Sequence, residues 1–381
     1  MKKKQLLLLL IIYCSFISLG LPDGVLGVAW PLMRLDFNQP LEAAGVIVLI
    51  MMPLSSFSSM MAVKLTKRFG VGLITSFSAL LTSVSLLGIA YSNSFVGLII
   101  FSVGLGIGQG AVDVVLNDVV AQNYSATHMT WLHGFWGVGA TLGPTIMAWA
   151  IRSSDQWTTG YSLIGVLQLM IAIGLFVSVG LWKHLHLKRV HTRIEEKASF
   201  ESTMILGIAL FFLYVGIEMS IGLWSNSYFV EHLNINPSHS GLLISGYYLF
   251  ITVGRFLSGF LTIKLKNRNM IRLGLLLAIA GVSTLVLFDN IAIIPIALMI
   301  VGLGLAPLYP SMMHETPNRF SASQASLLIS YQVAIAYVGG TMMSSFLGVI
   351  LAKLSLTLLY PIMLFFLLLM LFLSEIYNKK T

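Results

Sequence analysis

The chain has 381 residues, of which 57% are hydrophobic and only 9% are charged, and its mean hydropathy is +0.90. Soluble domains carry roughly 25% charged residues, so the composition excludes a soluble enzyme and predicts an all-α membrane protein. The net charge of +8 does not indicate nucleic-acid binding, because the basic residues form short clusters between apolar segments. A single cysteine, Cys14, supplies neither a disulfide framework nor a thiolate metal site.

Twelve segments are apolar over the roughly 20 residues that a bilayer span needs. The first is too long for a signal peptide and has no Ala-x-Ala cleavage site, so we interpret it as an uncleaved helix. The polar stretch 183–202 divides the set into two predicted six-helix bundles, 1–182 and 203–381, joined by a basic linker. In chain order the segments cover 5–30, 41–63, 71–91, 95–121, 130–151, 159–182, 203–230, 240–263, 271–288, 291–313, 323–352 and 357–376.

The basic residues also predict the orientation of the helices. If the N-terminus lies inside, 18 of the 22 lysines and arginines fall in cytoplasmic segments, whereas Arg34, Arg152 and Lys353 lie outside. This excess of positive charge predicts that both termini are cytoplasmic. We further expect a monomer in the bilayer of a bacterial cell membrane, since the loops are short and the sequence carries no organellar targeting signal.

The two predicted bundles repeat each other in sequence. The stretch 58–68, SSMMAVKLTKR, matches 258–268, SGFLTIKLKNR, with Lys64 and Arg68 in register with Lys264 and Arg268. The tetrapeptide VGLG occurs at 103–106 and again at 301–304. Parallel six-helix repeats on either side of a basic linker are typical of a two-bundle transporter with its binding site near the middle of the membrane.

Four predicted helices carry ionisable groups that are costly in a membrane and therefore suggest a function. In segment 1, Asp23 lies in a Pro-Asp-Gly that predicts a helix break, and it either lines a cavity or caps that break. In segment 4, Asp113 has no basic residue within a turn, so it is either a proton carrier or a helix–helix hydrogen-bond partner. His133 in segment 5 either shuttles protons or donates to a carbonyl. Glu218 in segment 7 is either a third coupling acid or a helix–helix contact.

Polar and aromatic side chains near these groups are candidates for substrate binding. Gln109 and Asn117 lie four residues before and after Asp113, so a helix aligns all three on one face. Hydroxyl groups of a substrate would bind amide side chains, and a sugar ring would stack on indoles. The predicted binding set is Gln109, Asn117, Asn226 and Gln332 for the hydroxyls, with Trp30, Trp136 and Trp224 for the ring.

Arg255 in segment 8 has two interpretations. Its side chain either extends along the helix to the cytoplasmic interface, which we favour, or pairs with an acid of the other bundle and acts as a gating residue. The glycines of segments 4 and 5 predict close helix packing and not a nucleotide site, because no strand precedes them and no Lys-Ser/Thr follows. We expect no metal ion, no cofactor and no enzymatic activity.

The short basic loop after segment 2, repeated after segment 8, resembles the signature loop of the major facilitator superfamily. The acidic residue that this family usually places there is absent, so a gate built on Lys64 and Arg68 would need another partner, for which Asp118 is a candidate. Segments at 21–31, 113–117, 132–144 and 212–224 resemble the branch of fucose permeases and glucose/mannose symporters. That resemblance implies proton coupling and sugar binding by Asp23 and Asp113.

The sequence therefore predicts a secondary active transporter, with H⁺ and a monosaccharide such as a hexose or 6-deoxyhexose as its partners. By alternating access of the two bundles, the protein would carry the proton and the sugar across the membrane in the same direction. A proton-driven exporter of drugs or other small molecules is the alternative, which the 19 methionines would suit because methionine adapts to varied ligands. A transport-inactive sensor would need a signalling domain or a long tail, and the sequence contains neither.

Overall fold

The computed structural model describes residues 3–124, 126–182, 201–261 and 265–380, and it is helical almost throughout. No strand occurs among these residues. A π-helical turn, Tyr228–His232, follows α8, and a 3-10 turn, Leu356–Leu358, precedes α14. The α-helices are α1 (Lys3–Gly20), α2 (Val25–Asp36), α3 (Ala43–Phe69), α4 (Val71–Ala90), α5 (Phe95–Asn123), α6 (Ala126–Ser154), α7 (Trp157–Trp182), α8 (Ser202–Ser227), α9 (Pro237–Leu261), α10 (Asn267–Leu287), α11 (Ile294–Leu305), α12 (Leu308–Arg319), α13 (Ala322–Lys353) and α14 (Leu359–Lys380).

Eleven helical segments of the described residues are long and apolar enough to cross a membrane. Two of them, Lys4–Asp36 and Ile294–Arg319, each combine a pair of consecutive helices. The predicted fifth span corresponds to α6, which is rich in glycine, threonine and tryptophan and is not among the eleven. The all-helical membrane class is confirmed, whereas the count of twelve spans and the cytoplasmic position of both termini stay predictions.

The chain divides into two compact units. The first comprises Met1–Arg189 with Ile235–Ser245, and the second comprises Val190–Asn234 with Gly246–Thr381. The first unit thus includes the beginning of α9, where the Ser245 hydroxyl lies 2.6 Å from that of Thr145. Of the predicted linker at 183–202, residues 183–200 lie outside the described residues.

The predicted break in the first apolar segment is confirmed. The helix is interrupted at residues 21–24, and Gly24 has a φ of +73°, a left-handed conformation that favours glycine. The freed backbone groups bond locally, as the sequence analysis expected: the Asp23 amide donates to the Gly20 carbonyl at 3.0 Å. The break places the Asp23 side chain between two half-helices, α1 and α2, in the first unit.

The glycines of α5 form two packing faces. Gly106 and Gly110 lie against the backbone of α3 at Met51 and Ser55, whereas Gly104 and Gly108 lie against α4. Small residues at this spacing let neighbouring helices approach closely. The predicted packing role of these glycines is confirmed, and the close approach holds the polar face of α5 at a fixed distance from its neighbours.

We expect Gly110→Ala to destabilise the protein by about 1–3 kcal/mol, because the added methyl group would overlap the backbone carbonyl oxygen of Ser55. Gly174→Ala is the matched control, since nothing lies within 4 Å of a methyl group at that position in α7. Thermal unfolding in detergent should show a lower Tm for the first variant only. Equal Tm values for both variants would contradict the packing role of Gly110.

Candidate functional site

Three predicted site residues meet in the first unit. The Trp136 indole donates from Nε1 to Asp23 Oδ2 at 2.8 Å, and the Gln109 amide donates from Nε2 to Asp23 Oδ1 at 3.5 Å. Both carboxylate oxygens therefore accept hydrogen bonds from side chains of other helices. This arrangement favours the interpretation of Asp23 as a group that lines a site, because Gln109 and Trp136 reach it from α5 and α6.

Helix packing explains why Trp136 reaches the break. In α6, Gly139 and Gly143 lie against the backbone carbonyls of Ile17 and Leu21, at the end of α1 and the start of the break. Gly20 in turn lies against the carbonyl of Trp136. Any larger residue at these positions would separate the two helices and move the indole away from Asp23.

Asp113 and Asn117 form a second polar pair, one turn beyond Gln109 on the same helix. The Asn117 amide donates to Asp113 Oδ1 at 2.9 Å and to the Asp113 carbonyl at 3.0 Å. Both side chains are partly exposed. The predicted stripe on α5 is thus present, and it carries one carboxylate with an amide bonded to it and another amide that contacts Asp23.

His133 and the predicted gating residues of the first unit are exposed. His133 is exposed, and its ring meets Phe16 edge-on at 6.0 Å. Asp118 is exposed and accepts from Gln122 at 2.6 Å. Lys64 and Arg68 are exposed near the end of α3, where the Arg68 guanidinium lies 5.3 Å from the ring of the adjacent phenylalanine.

Two of the three predicted stacking indoles are fully buried. Trp30 donates to the Leu41 carbonyl and Trp224 to the Ser344 carbonyl, each at 2.8 Å. Neither ring has surface on which a ligand could stack in this conformation. Trp136, in contrast, keeps part of its surface exposed and is therefore the ring best placed for stacking.

Among the amides predicted in the second unit, Asn226 and Gln332 are also buried. Gln332 accepts from the Thr316 hydroxyl at 3.2 Å. It borders a cavity of about 10 Å³, which has room for about one water molecule and not for a sugar.

Arg255 and Glu218 form an ion pair within the second unit. One guanidinium nitrogen of Arg255 lies 3.3 Å from Glu218 Oε1 and 3.5 Å from the Tyr214 hydroxyl. The favoured expectation, an arginine extended to the interface, is wrong, because the guanidinium faces an acid near the middle of α8. Its partner also belongs to the same unit and not to the other predicted bundle.

A network in the second unit was missed by the sequence analysis. Glu315 lies 2.9 Å from Arg268 and 3.4 Å from Arg319, and Arg319 also donates to the Asn378 side chain at 2.6 Å. Arg268 is the repeat partner of Arg68, so the repeated basic motif is anchored to an acid in this unit. The four-residue spacing of Glu315 and Arg319 could have indicated the pair.

We expect Glu315→Gln to destabilise the protein by about 3–5 kcal/mol, since it leaves the guanidinium of Arg319, whose side chain is only 2% exposed, without its carboxylate. Arg272→Gln is the control, because its pair with Glu375 lies at the surface and its loss leaves no buried charge unpaired. Tm values in detergent measure both effects. The prediction fails if the two variants lose similar stability.

No group of three His, Cys, Asp or Glu side chains in the described part of the chain could hold a metal ion. Asp23, Gln109 and Trp136 instead offer a carboxylate, an amide and an indole, a combination that suits a ligand with hydroxyl groups. Asp113 adds a carboxylate that could hold a proton, and the Asn117 amide donates to it.

Residues 10–203 and 206–379 match the sequence profile of the Major Facilitator Superfamily. No curated protein sequence matches the chain significantly. Among solved structures, the chain is similar to a bacterial homologue of the human lysosomal transporter Spinster, with a TM-score of 0.78, 13% identity and coverage of 100% of this chain and 98% of the other. For a variant of the nucleoside transporter NupG, the TM-score is 0.79 and the identity 9%, with coverage of 98% of this chain and 100% of the other. For a D-xylose–proton symporter, the TM-score is 0.75 and the identity 14%, with coverage of 96% of each chain.

Proposed function

The chain belongs to the Major Facilitator Superfamily, and we propose that it is a proton-coupled symporter of a monosaccharide that works by alternating access. The observation that carries this proposal is the cluster of Asp23, Gln109 and Trp136. A carboxylate held by an indole N–H and an amide can bind sugar hydroxyls, while the indole face stacks on the ring. The similarity to a D-xylose–proton symporter supports the fold that such a function needs.

In the proposed cycle, Asp113 or Asp23 takes up a proton before the loaded carrier turns inward. A neutral carboxyl costs less free energy in an apolar environment than a carboxylate does, which links protonation to the conformational change. The sugar hydroxyls bind Gln109 and Asn117, and release of the proton inside resets the carrier. Asn226, Gln332, Trp30 and Trp224 are buried in this conformation, so their predicted roles require that they become exposed during the cycle.

The finer assignments are part of the same proposal. Glu218 and His133 remain candidates for proton transfer, and Lys64, Arg68, Asp118 and Arg255 remain candidates for gating. We place the protein in the branch of fucose permeases and glucose/mannose symporters and expect a hexose or 6-deoxyhexose as substrate. We also propose that the protein is a monomer and that it lies in a bacterial cell membrane.

Uptake into proteoliposomes tests this function. Labelled glucose, mannose, fucose and xylose are supplied with an inward proton gradient, with and without a protonophore, and with sodium replaced by potassium. Accumulation that the protonophore abolishes and sodium does not affect is the expected result. Failure to transport any sugar, together with drug resistance in cells that overexpress the protein, would contradict the proposal and favour the exporter.

A further inference from the structure

We propose that the pair of Glu218 and Arg255 is a carboxylate-binding site and that the transported monosaccharide is a sugar acid, such as a uronic acid. The inference rests on the proposed transport of a monosaccharide and replaces the neutral hexose or 6-deoxyhexose expected above with an acidic monosaccharide. Arg255 would bind the carboxylate of the substrate, and Glu218 would release the guanidinium by taking up a proton.

The geometry of the pair indicates that it can open. The two side chains are joined by one guanidinium nitrogen and one carboxylate oxygen at 3.3 Å, and they keep 19% and 12% of their surface exposed. Arg272 and Glu375 in the same unit form a fork of two hydrogen bonds instead. Such forks are the stronger and more specific arrangement, so a substrate carboxylate that bound Arg255 through a fork would compete with the single contact from Glu218.

The position of the pair argues against a purely structural role. Glu218 lies in the span 202–232 and Arg255 in the span 237–261, where charged groups are expensive. A buried ion pair often stabilises a protein no more than apolar residues of the same size would. A partly exposed pair at this place is therefore better explained by ligand binding than by stability.

Hydroxyl groups surround the pair on both helices. The Tyr214 hydroxyl accepts from Arg255 at 3.5 Å, and the Tyr247 hydroxyl donates to the Glu218 carbonyl at 3.2 Å. In the part of the chain that the structure describes, the titratable rings next to these two phenols are Tyr248 of α9, edge-on to Tyr247, and Tyr309 of α12, tilted against Tyr214. All four of these tyrosines are phenols, so among the side chains named here only Glu218 and Arg255 carry a charge.

The exchange conserves charge. Before binding, the carboxylate of Glu218 neutralises the guanidinium of Arg255. After binding, Glu218 holds a proton on its carboxyl group and the carboxylate of the substrate neutralises Arg255. The net charge of the site is the same in both states, which spares the carrier the cost of an uncompensated charge in the membrane. A neutral sugar offers nothing to replace Glu218 at the guanidinium.

Binding to the purified full-length protein tests the inference. Titration calorimetry compares glucuronate and galacturonate with glucose and galactose, and lactate serves as a carboxylate without a sugar ring. The variants are Glu218→Gln/Arg255→Gln, which removes both charges together, and Arg255→Lys, which keeps the charge and loses the fork. The control is Arg272→Gln/Glu375→Gln, which removes the other pair.

We expect the uronates to bind wild-type protein and the control equally. Binding should weaken at least about 10-fold in the doubly neutral variant and by a smaller factor in Arg255→Lys, which stays folded because its ion pair persists. In weakly buffered solution, uronate binding to the wild-type protein should be accompanied by uptake of a proton from the solvent. Glu218→Gln should show no such proton uptake.

Each other outcome is decisive. If only neutral sugars bind, the inference is overturned while the proposed sugar transport stands. If lactate binds as tightly as the uronates and depends on Arg255, the site is correct and the monosaccharide is wrong. Uronate binding that both variants retain, or no binding of any compound, overturns the inference.

Discussion

Asp113→Asn is expected to leave the protein able to exchange its substrate and unable to accumulate it. The amide has the same size and still has an oxygen to accept the hydrogen bond that Asn117 donates at 2.9 Å. It cannot take up or release a proton, so a proton gradient no longer drives the cycle. Internal substrate should then rise only to the external concentration, which a proteoliposome assay with an imposed proton gradient measures directly.

Asp155→Asn is the matched control, because it makes the same change in an exposed loop residue with a φ of +56°, a conformation that asparagine tolerates. It should accumulate substrate as wild type does. Counterflow, in which internal unlabelled substrate exchanges for external label, should persist in both variants. Full accumulation by Asp113→Asn would falsify its coupling role and leave Asp23 as the candidate.

Local sequence patterns account for the parts of the site that depend on one helix. The break at Pro22–Gly24 is predictable because proline lacks an amide hydrogen and glycine tolerates a positive φ. The alignment of Gln109, Asp113 and Asn117 follows from the helical repeat alone. Both features are present in the structure, at the positions where the sequence analysis placed them.

Contacts between distant helices were not predictable from the sequence. The bond from Trp136 to Asp23 joins residues 113 positions apart and depends on glycine contacts between α1 and α6. Arg255 illustrates the same limit, because its long side chain reaches several partners and only the packing of α9 beside α8 selects Glu218. Trp30 and Trp224 appeared suited to stacking because sequence does not report burial.

Trp136→Phe separates the two functions of this indole and is expected to weaken substrate binding strongly. Phenylalanine keeps an aromatic face for the sugar ring but lacks the N–H that holds Asp23 Oδ2 at 2.8 Å. A hydrogen bond to a charged group is worth about 1.5–3 kcal/mol, which corresponds to roughly 10- to 100-fold in apparent affinity. The KM for proton-driven uptake should rise by this factor.

Trp149→Phe in the same helix is the control for this change, because its ring is 58% exposed and it should transport normally. A double-mutant cycle then asks whether Trp136 acts through Asp23. If the indole works by holding the carboxylate, Trp136→Phe should add little to the loss already caused by Asp23→Ala, since each variant removes the bond between the indole and the carboxylate. Additive losses in KM would mean that the indole contacts the substrate independently, and Asp23 would then need another partner to orient it.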